Sequence, residues 1–398
     1  MLFRSLCGAA EPAADRGGMK AGGFPLNRTD RIRFPWRKDF VIALVVRLEP
    51  VSDLAALGPR FRALERVARP SFFQSWSWTG CLTAERFADP LLLAAQEDGR
   101  DVALALFNRR SSRLAPDTLW LGESGIADLD AMYIEHNGIL MQRDDLLPDR
   151  LMAVLLTDCL RVVRPSGWGR LVLSGVDDAH LAAARAMGGE VRVLRSQPAP
   201  FVRLDGGEFL AGLGANTRYQ LRRSAKRYAA RGALLLHRAA SVSEALAVLD
   251  ELAVLHQATW TARGKPGAFA NPVFRRFHRA LIERAMPRGE VDLLRITAGE
   301  SVVGCLYNFR HDGRVLAYQS GFDHAGAGAH EKPGLTCHHL AIEAAAADGM
   351  TRYDFLAGED RYKANLAHDA TTLHWLDVTP RWSPRGVAAR LRGMRRSG

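Results

Sequence analysis

The stretch EVDLLRITAGESVVGCLYNFRHDGRVLAYQSGF, residues 290–322, constrains the fold of this chain more than any other segment. Apolar residues fill three runs of strand length. The interruptions AGE and HDG are turn chemistry, because glycine takes up left-handed backbone at no steric cost and Asp-Gly is a strong hairpin signal. Three strands joined by tight turns make an antiparallel meander. The loop DHAGAGAHEKPG then leads into a helix predicted from Pro333 to about Asp348, followed by the strand RYDFLAG and a last strand TTLHWLDV. A strand that returns after a helix has to lie beside the meander, so the sheet is mixed and carries the helix on one face.

The first half uses the same grammar. FVIALVVRLEP reads as a strand, and SFFQSWSWTGCL as an aromatic segment opening a helix. LLLAAQEDGRDVALALFNRR is a hairpin turned at Asp-Gly, and TLWLGES is a further strand. PDRLMAVLLTDCLRVVRP has helical spacing, GRLVLSGV is a short buried strand, DDAHLAAARAMGG is a helix stopped by glycine, and EVRVLRS is a strand again. The fold class expected is therefore α/β (α+β), with two tandem units, each a mixed twisted sheet flanked by helices. At 398 residues and 47% hydrophobic composition, the chain has room for two domains of ordinary size. The expected division is an aperiodic, disordered basic segment over 1–36, an N-terminal domain over 37–200, a C-terminal domain over 201–380 and a basic tail over 381–398.

The formal charge of +11 is unevenly placed. Residues 1–38 hold eight Lys/Arg against three Asp/Glu, and residues 381–398 hold six Arg and no acid, which leaves the body between them neutral. Basic ends of this kind are either solvated or in contact with anionic lipid or RNA. No stretch has the roughly 18 to 20 apolar residues of a membrane-spanning helix, and the first residues are too broken by charge for a signal peptide. The expected location is the cytoplasm, with peripheral contact at the inner face of a membrane through the basic ends. The cysteines (Cys7, Cys81, Cys159, Cys305, Cys337) form no CxxC pair, and His338 and His339 are adjacent on a helix and point apart, so no metal site is expected.

Between the halves, GANTRYQLRRSAKRYAARG reads as a helix with Asn216 as N-cap and Gly232 just past its end. It carries Arg218, Arg222, Arg223, Lys226, Arg227 and Arg231 and no acid. Such a face is either neutralised by carboxylates elsewhere or binds phosphate. The loop 323–334 feeding a helix start presents backbone N–H groups that suit a pyrophosphate. It matches neither GxxxxGK[ST] nor GxGxxG, which disfavours nucleotide hydrolysis and dinucleotide binding.

The order of meander, loop, helix and strand resembles the GNAT superfamily of N-acetyltransferases, and within it the CelD-like branch related to the Fem aminoacyltransferases. The likeness is carried by NTRYQLRR (216–223), YQSGFD (318–323), PGL (333–335) and YDFLAGEDRYK (353–363), and covers residues 200–378. It implies tandem GNAT-like domains and transfer of an acyl group from a thioester, usually acyl-CoA, to an amine by direct attack. On this resemblance a backbone N–H among Gln319, Ser320 and Gly321 polarises the carbonyl, and Asp354 or Glu359 takes the proton of the amine. Tyr362 protonates the leaving thiolate, and Lys363 holds a phosphate or a substrate carboxylate. Gly334, Leu335, Arg218 and Arg222 complete the donor contacts. Tyr133, Glu135 and Asn137, in the polar string MYIEHNGIL, are acceptor-binding candidates. Trp76 either packs the first half's core, with Trp78, Phe72 and Phe73, or lines the acceptor cleft. The expected acceptor is an amine on a small molecule, a sugar or a lipid, with no metal and no nucleic acid required. Two alternatives stay open: an aminoacyl-tRNA donor, for which the basic helix would hold RNA, and a non-catalytic nucleic-acid-binding protein, disfavoured by the neutral body.

Overall fold

A computed structural model of the protein describes residues 27–33, 41–111, 117–143, 156–157, 169–204, 209–358 and 360–380. The basic tail over 381–398, most of the helix read at 148–165, and Glu359 lie outside the described residues.

The strands form one mixed sheet, and its order shows the duplication. In the first half β2 (Val41–Pro50), β3 (Pro90–Glu97), β4 (Arg100–Arg110) and β5 (Thr118–Leu121) lie side by side, each antiparallel to the next. β5 then runs parallel to β7 (Arg170–Val176), while β6 (Leu140–Met141) is a short addition to β4. In the second half β9 (Leu234–Arg238), β10 (Val291–Ala298), β11 (Ser301–His311) and β12 (Arg314–Phe322) are antiparallel neighbours, and β12 runs parallel to β13 (Arg352–Asp354). The meander turns fall where the sequence places them, with Gly299, Asp312 and Gly313 at positive φ. Residues 27–33, read as aperiodic, instead form β1 antiparallel to β2.

The halves are joined by an exchange of their last strands. β8 (Glu190–Arg203), which closes the first half in sequence, pairs with β13 of the second. β14 (Asp369–Thr379), which closes the second, pairs with β7 of the first, and β8 and β14 pair with each other from Glu190↔Thr379 to Phe201↔Asp369. The result is a single sheet that runs through both halves.

Eight described helices cover it: α1 (Leu57–Ala68), α2 (Trp76–Arg86), α3 (Asp178–Ala186), α4 (Ala215–Ala229), α5 (Val242–Ala262), α6 (Pro272–Ala285), α7 (Pro333–Ala347) and α8 (Arg361–Leu366). α4 starts earlier than its sequence suggests, with Gly214 rather than Asn216 as N-cap. α4 and α7 share a core with one face of β10–β13, in which Leu221, Tyr228, Cys337, Ile342 and Tyr353 are buried. α5 and α6 pack the other face together with α2 from the first half. There Phe72 stacks on Phe309 at 4.1 Å, and Trp78 meets Phe277 edge-on at 5.2 Å. Phe72, Phe73 and Trp78 thus belong to a core common to both halves, not to the first half alone. At roughly 1.5 to 3 kcal/mol for each large apolar side chain fully buried, this cluster fixes the halves against each other.

Candidate active site

The site is made where β12 and β13 part. These parallel strands pair only from Arg314↔Arg352 to Leu316↔Asp354. Just beyond, the register of β11 with β12 shifts so that Tyr307 faces Gln319 and Asn308 faces Ala317, leaving Tyr318 as an extra residue. A bulge bends its strand and leaves backbone groups unpaired. β12 therefore turns away from β13, and a cleft with about 1960 Å³ of open space forms in the gap. One wall carries Ala317, Tyr318, Gln319 and Ser320. The other carries Phe355, Leu356, Ala357, Tyr362 and Lys363, and the start of α7 with Gly334 and Leu335 closes one end.

The turn after β13 is held rigidly. Leu356 takes a left-handed φ of 61°, and the amides of Phe355 and Gly358 donate to the carbonyls of Pro200 and Pro198 on β8, at 2.9 and 3.1 Å. Lys363 bends back from α8, and its Nζ donates to the carbonyls of Ala357 (2.9 Å) and Leu356 (3.4 Å). Gly358 leaves room for this, since a Cβ there would stand 2.9 Å from Nζ. Burial lowers the Lys363 pKa against the opposing pull of Glu135, Asp360 and Asp354. Tyr362 stacks on the buried His338 at 5.4 Å, and burial pushes its phenol well above the usual range, so it stays protonated. His338 binds the Tyr353 hydroxyl through Nδ1 at 2.9 Å and is held neutral by burial, with its pKa lowered to about 3.

The remaining central group comes from the first half. Met132 and Ile134 are buried in the core shared by the two halves, which places Glu135 at the cleft. Gly175, at φ +67°, permits this, because a Cβ there would collide with the Ile134 carbonyl oxygen. The Glu135 carboxylate accepts a hydrogen bond from the Ala357 amide and is only 6% exposed. Burial raises its pKa to about 7, against the Ala357 amide and the Lys363 and His136 charges, which favour ionisation. Glu135 also lines a second chamber of about 1440 Å³, shared through Tyr133, Glu135 and Trp260. It stands at the junction of two rooms.

Several sequence candidates lie elsewhere. Asp354 does not line the cleft: its buried carboxylate binds Arg352, the Leu356 amide at 2.8 Å and His136 at 3.2 Å. Burial opposes its charge, but these partners outweigh burial and hold its pKa below the usual value. Asn137 is turned into the first half, with Nδ2 donating to the carbonyls of Leu121 (3.1 Å) and Ser174 (3.0 Å). Trp76 packs on Phe61 at 5.2 Å, against Gly58 and Gly80, and takes the core role of its two readings. Gly321 serves packing, since a Cβ would strike the Leu252 carbonyl of α5. Arg218 turns back onto the carbonyls of Leu213 and Ala211, and Arg222 is exposed on α4 outside the cleft lining.

The loop before α7 also differs from a bare amide cradle. The Gly326 amide donates to Asp323 at 2.8 Å and the Gly328 amide to Glu331 at 2.6 Å, while Arg231 binds Glu331 and the Gly326 carbonyl. Two loop amides are thus taken by the chain's own carboxylates. α4 supports the loop through Ser224, whose hydroxyl accepts from the Lys332 amide at 2.8 Å and meets the Thr336 hydroxyl at 2.8 Å. His256 joins β12 to α5 by donating from Nδ1 to the Ser320 carbonyl at 3.0 Å. His256 and Trp260 had no local signal in the sequence: they sit on a long apolar helix and become cleft residues only through packing.

Comparison with known proteins agrees with this geometry. Residues 215–364 match the acetyltransferase (GNAT) domain family. The matched segment runs from α4 to α8 and so contains the opened strands, the loop and the cleft floor, while Glu135 comes from outside it. The crystal structure of FemX superposes with a TM-score of 0.53 at 10% identity, over 80% of this chain and 94% of that one. The C-terminal domain of a putative lysylphosphatidylglycerol synthetase from Agrobacterium fabrum gives 0.49 at 11% identity, over 85% and 95%. A tandem GNAT protein from the clavulanic acid biosynthesis pathway gives 0.42 at 14% identity, over 84% and 98%. Identities this low speak to fold and not to substrate. A sequence search of curated proteins finds no match. Among the described residues no group of three or more His, Cys, Asp or Glu could hold a metal ion, and no helix is long and apolar enough to cross a membrane.

Proposed function

We propose that the protein transfers an acyl group from an activated carboxyl donor to an amine by direct attack, with Glu135 as the general base. One observation carries this: a buried carboxylate with a pKa of about 7 at the junction of two chambers, one of which opens between β12 and β13. A base poised near neutral pH can strip the proton from an incoming ammonium. Tyr318, Gln319 and Ser320 put the bulged backbone beside the reacting carbonyl, where N–H groups stabilise developing oxyanion charge. Tyr362, a protonated phenol on the opposite wall, is placed to return a proton to the leaving group. Lys363, tied to two carbonyls, holds the turn and favours the ionised form of Glu135. The motifs at 216–223 and 353–363 support a place in the CelD-like branch.

The donor in this proposal is an acyl-CoA, with its acyl end between Gln319 and Tyr362 and its phosphates toward Gly334 and Leu335. An aminoacyl-tRNA donor is the second reading. It is favoured by the occupied amides of Gly326 and Gly328, and by Arg222, Lys226 and Arg227, which are exposed on α4 and form no ion pair among the described residues. Isothermal titration with acetyl-CoA, a long-chain acyl-CoA and aminoacyl-tRNA at two salt concentrations separates them. Saturable acyl-CoA binding supports the first. Binding of tRNA alone, falling steeply with salt and weakened by Arg222→Ala, supports the second. Binding of none removes the donor role from this cleft.

A further inference from the structure

The second chamber has a floor and a rim of opposite charge. On the floor stand Glu135 and Glu123, whose carboxyl is also shifted upward by burial, with a hydrogen bond from Ser174 opposing that shift. At the rim stand two cations, each laid over a tryptophan. The Arg195 guanidinium lies 3.6 Å from the Trp375 ring centroid, and Lys265 Nζ lies 5.7 Å from that of Trp260. Arg195 and Trp375 face each other directly across the exchanged strands β8 and β14, so the pair is fixed by the sheet. Both cations are exposed, and neither forms an ion pair among the described residues.

We propose that the acceptor is an amine that also carries an anionic group, a phosphate or a carboxylate, held by Arg195 and Lys265. This rests on the reading of Glu135 as the base. The amine is drawn to the carboxylate floor, the anion to the rim, and the body of the molecule lies along the faces of Trp260 and Trp375. A guanidinium stacked on an aromatic ring loses little freedom on binding, and its planar fork suits phosphate and carboxylate oxygens. A neutral-bodied amine would satisfy the floor and leave both rim cations unused.

The test uses matched probes that differ only in the anion, titrated into the full chain without donor: glucosamine against glucosamine 6-phosphate, and cadaverine against lysine. In at least one pair the anionic member should bind about tenfold more tightly, as a charge-assisted hydrogen bond provides. Arg195→Gln with Lys265→Gln should abolish that preference without weakening the binding of the anion-free amine. Both residues are at the surface, and circular dichroism confirms that the fold is intact. Equal affinity within both pairs, binding of neither member of either pair, or a preference that survives the double substitution overturns the proposal. Because no donor or turnover is involved, these outcomes are distinct from failure of Glu135 as a base.

Discussion

Replacing Glu135 by Gln tests the site most directly, because the structure sets both a kinetic and a thermodynamic expectation. Moving a carboxyl from its ordinary 4.5 to about 7 means that ionising it in the folded protein costs about 3 kcal/mol more than in the unfolded chain. The folded state therefore holds its proton where the unfolded state has lost it. Below about pH 4.5 both states are protonated and nothing is lost, whereas between 4.5 and 7 stability falls, by up to about 3 kcal/mol above pH 7. Glutamine keeps the acceptor for the Ala357 amide but carries no charge, so E135Q should remove this pH dependence and be the more stable protein at pH 8. In kinetics the native enzyme should show kcat/KM rising with pH through about 7. E135Q should lose that limb and about two to four orders of magnitude in rate. Urea unfolding at pH 5 and pH 8 is measured alongside the pH–rate profile. A variant that keeps the limb and most of its rate would refute the base assignment, whatever its stability.

Other expectations follow from the neighbouring side chains. Tyr362→Phe keeps the stack on His338 and removes only the hydroxyl, so turnover should drop by about 10- to 100-fold with donor affinity unchanged; full turnover would remove the acid role. Asp354→Asn takes the charge from a buried carboxylate that binds Arg352, His136 and the Leu356 amide, and should cost about 3 kcal/mol in urea unfolding; because the Asp354 charge helps to raise the Glu135 pKa, the pH–rate midpoint should move modestly downward. Unaltered stability with a loss of rate comparable to that of E135Q would return Asp354 to the chemistry.

The residues that were legible in the sequence owe it to local causes. The meander and its two turns are written in alternation and in Asp-Gly and Ala-Gly-Glu, while Tyr362 and Lys363 are reached through the family resemblance of YDFLAGEDRYK. Glu135 stood out as polar among apolar residues, which suggested substrate contact but not the base role proposed for it, since burial decides the pKa and burial is a property of the assembled halves. Asp354 and Asn137 were picked by the same polarity. Asp354 is tied to Arg352 on its own strand and to His136 from the first half, and Asn137 to two distant carbonyls, and these partners take both into the framework. Arg195 and Trp375 are 180 residues apart in sequence, and only the pairing of β8 with β14 brings them together.

That pairing also has a consequence for how the protein is made. The strand at the middle of the sheet, β14, is among the last described residues of the chain to be synthesised, whereas its neighbours β7 and β8 are complete about 170 residues earlier. During translation β7 waits with one unpaired edge and β8 with two, the condition under which edge-to-edge association competes with folding. The halves are thus unequal partners in time although alike in plan. The second can close its meander locally as it emerges, while the first is finished only by a strand it does not encode.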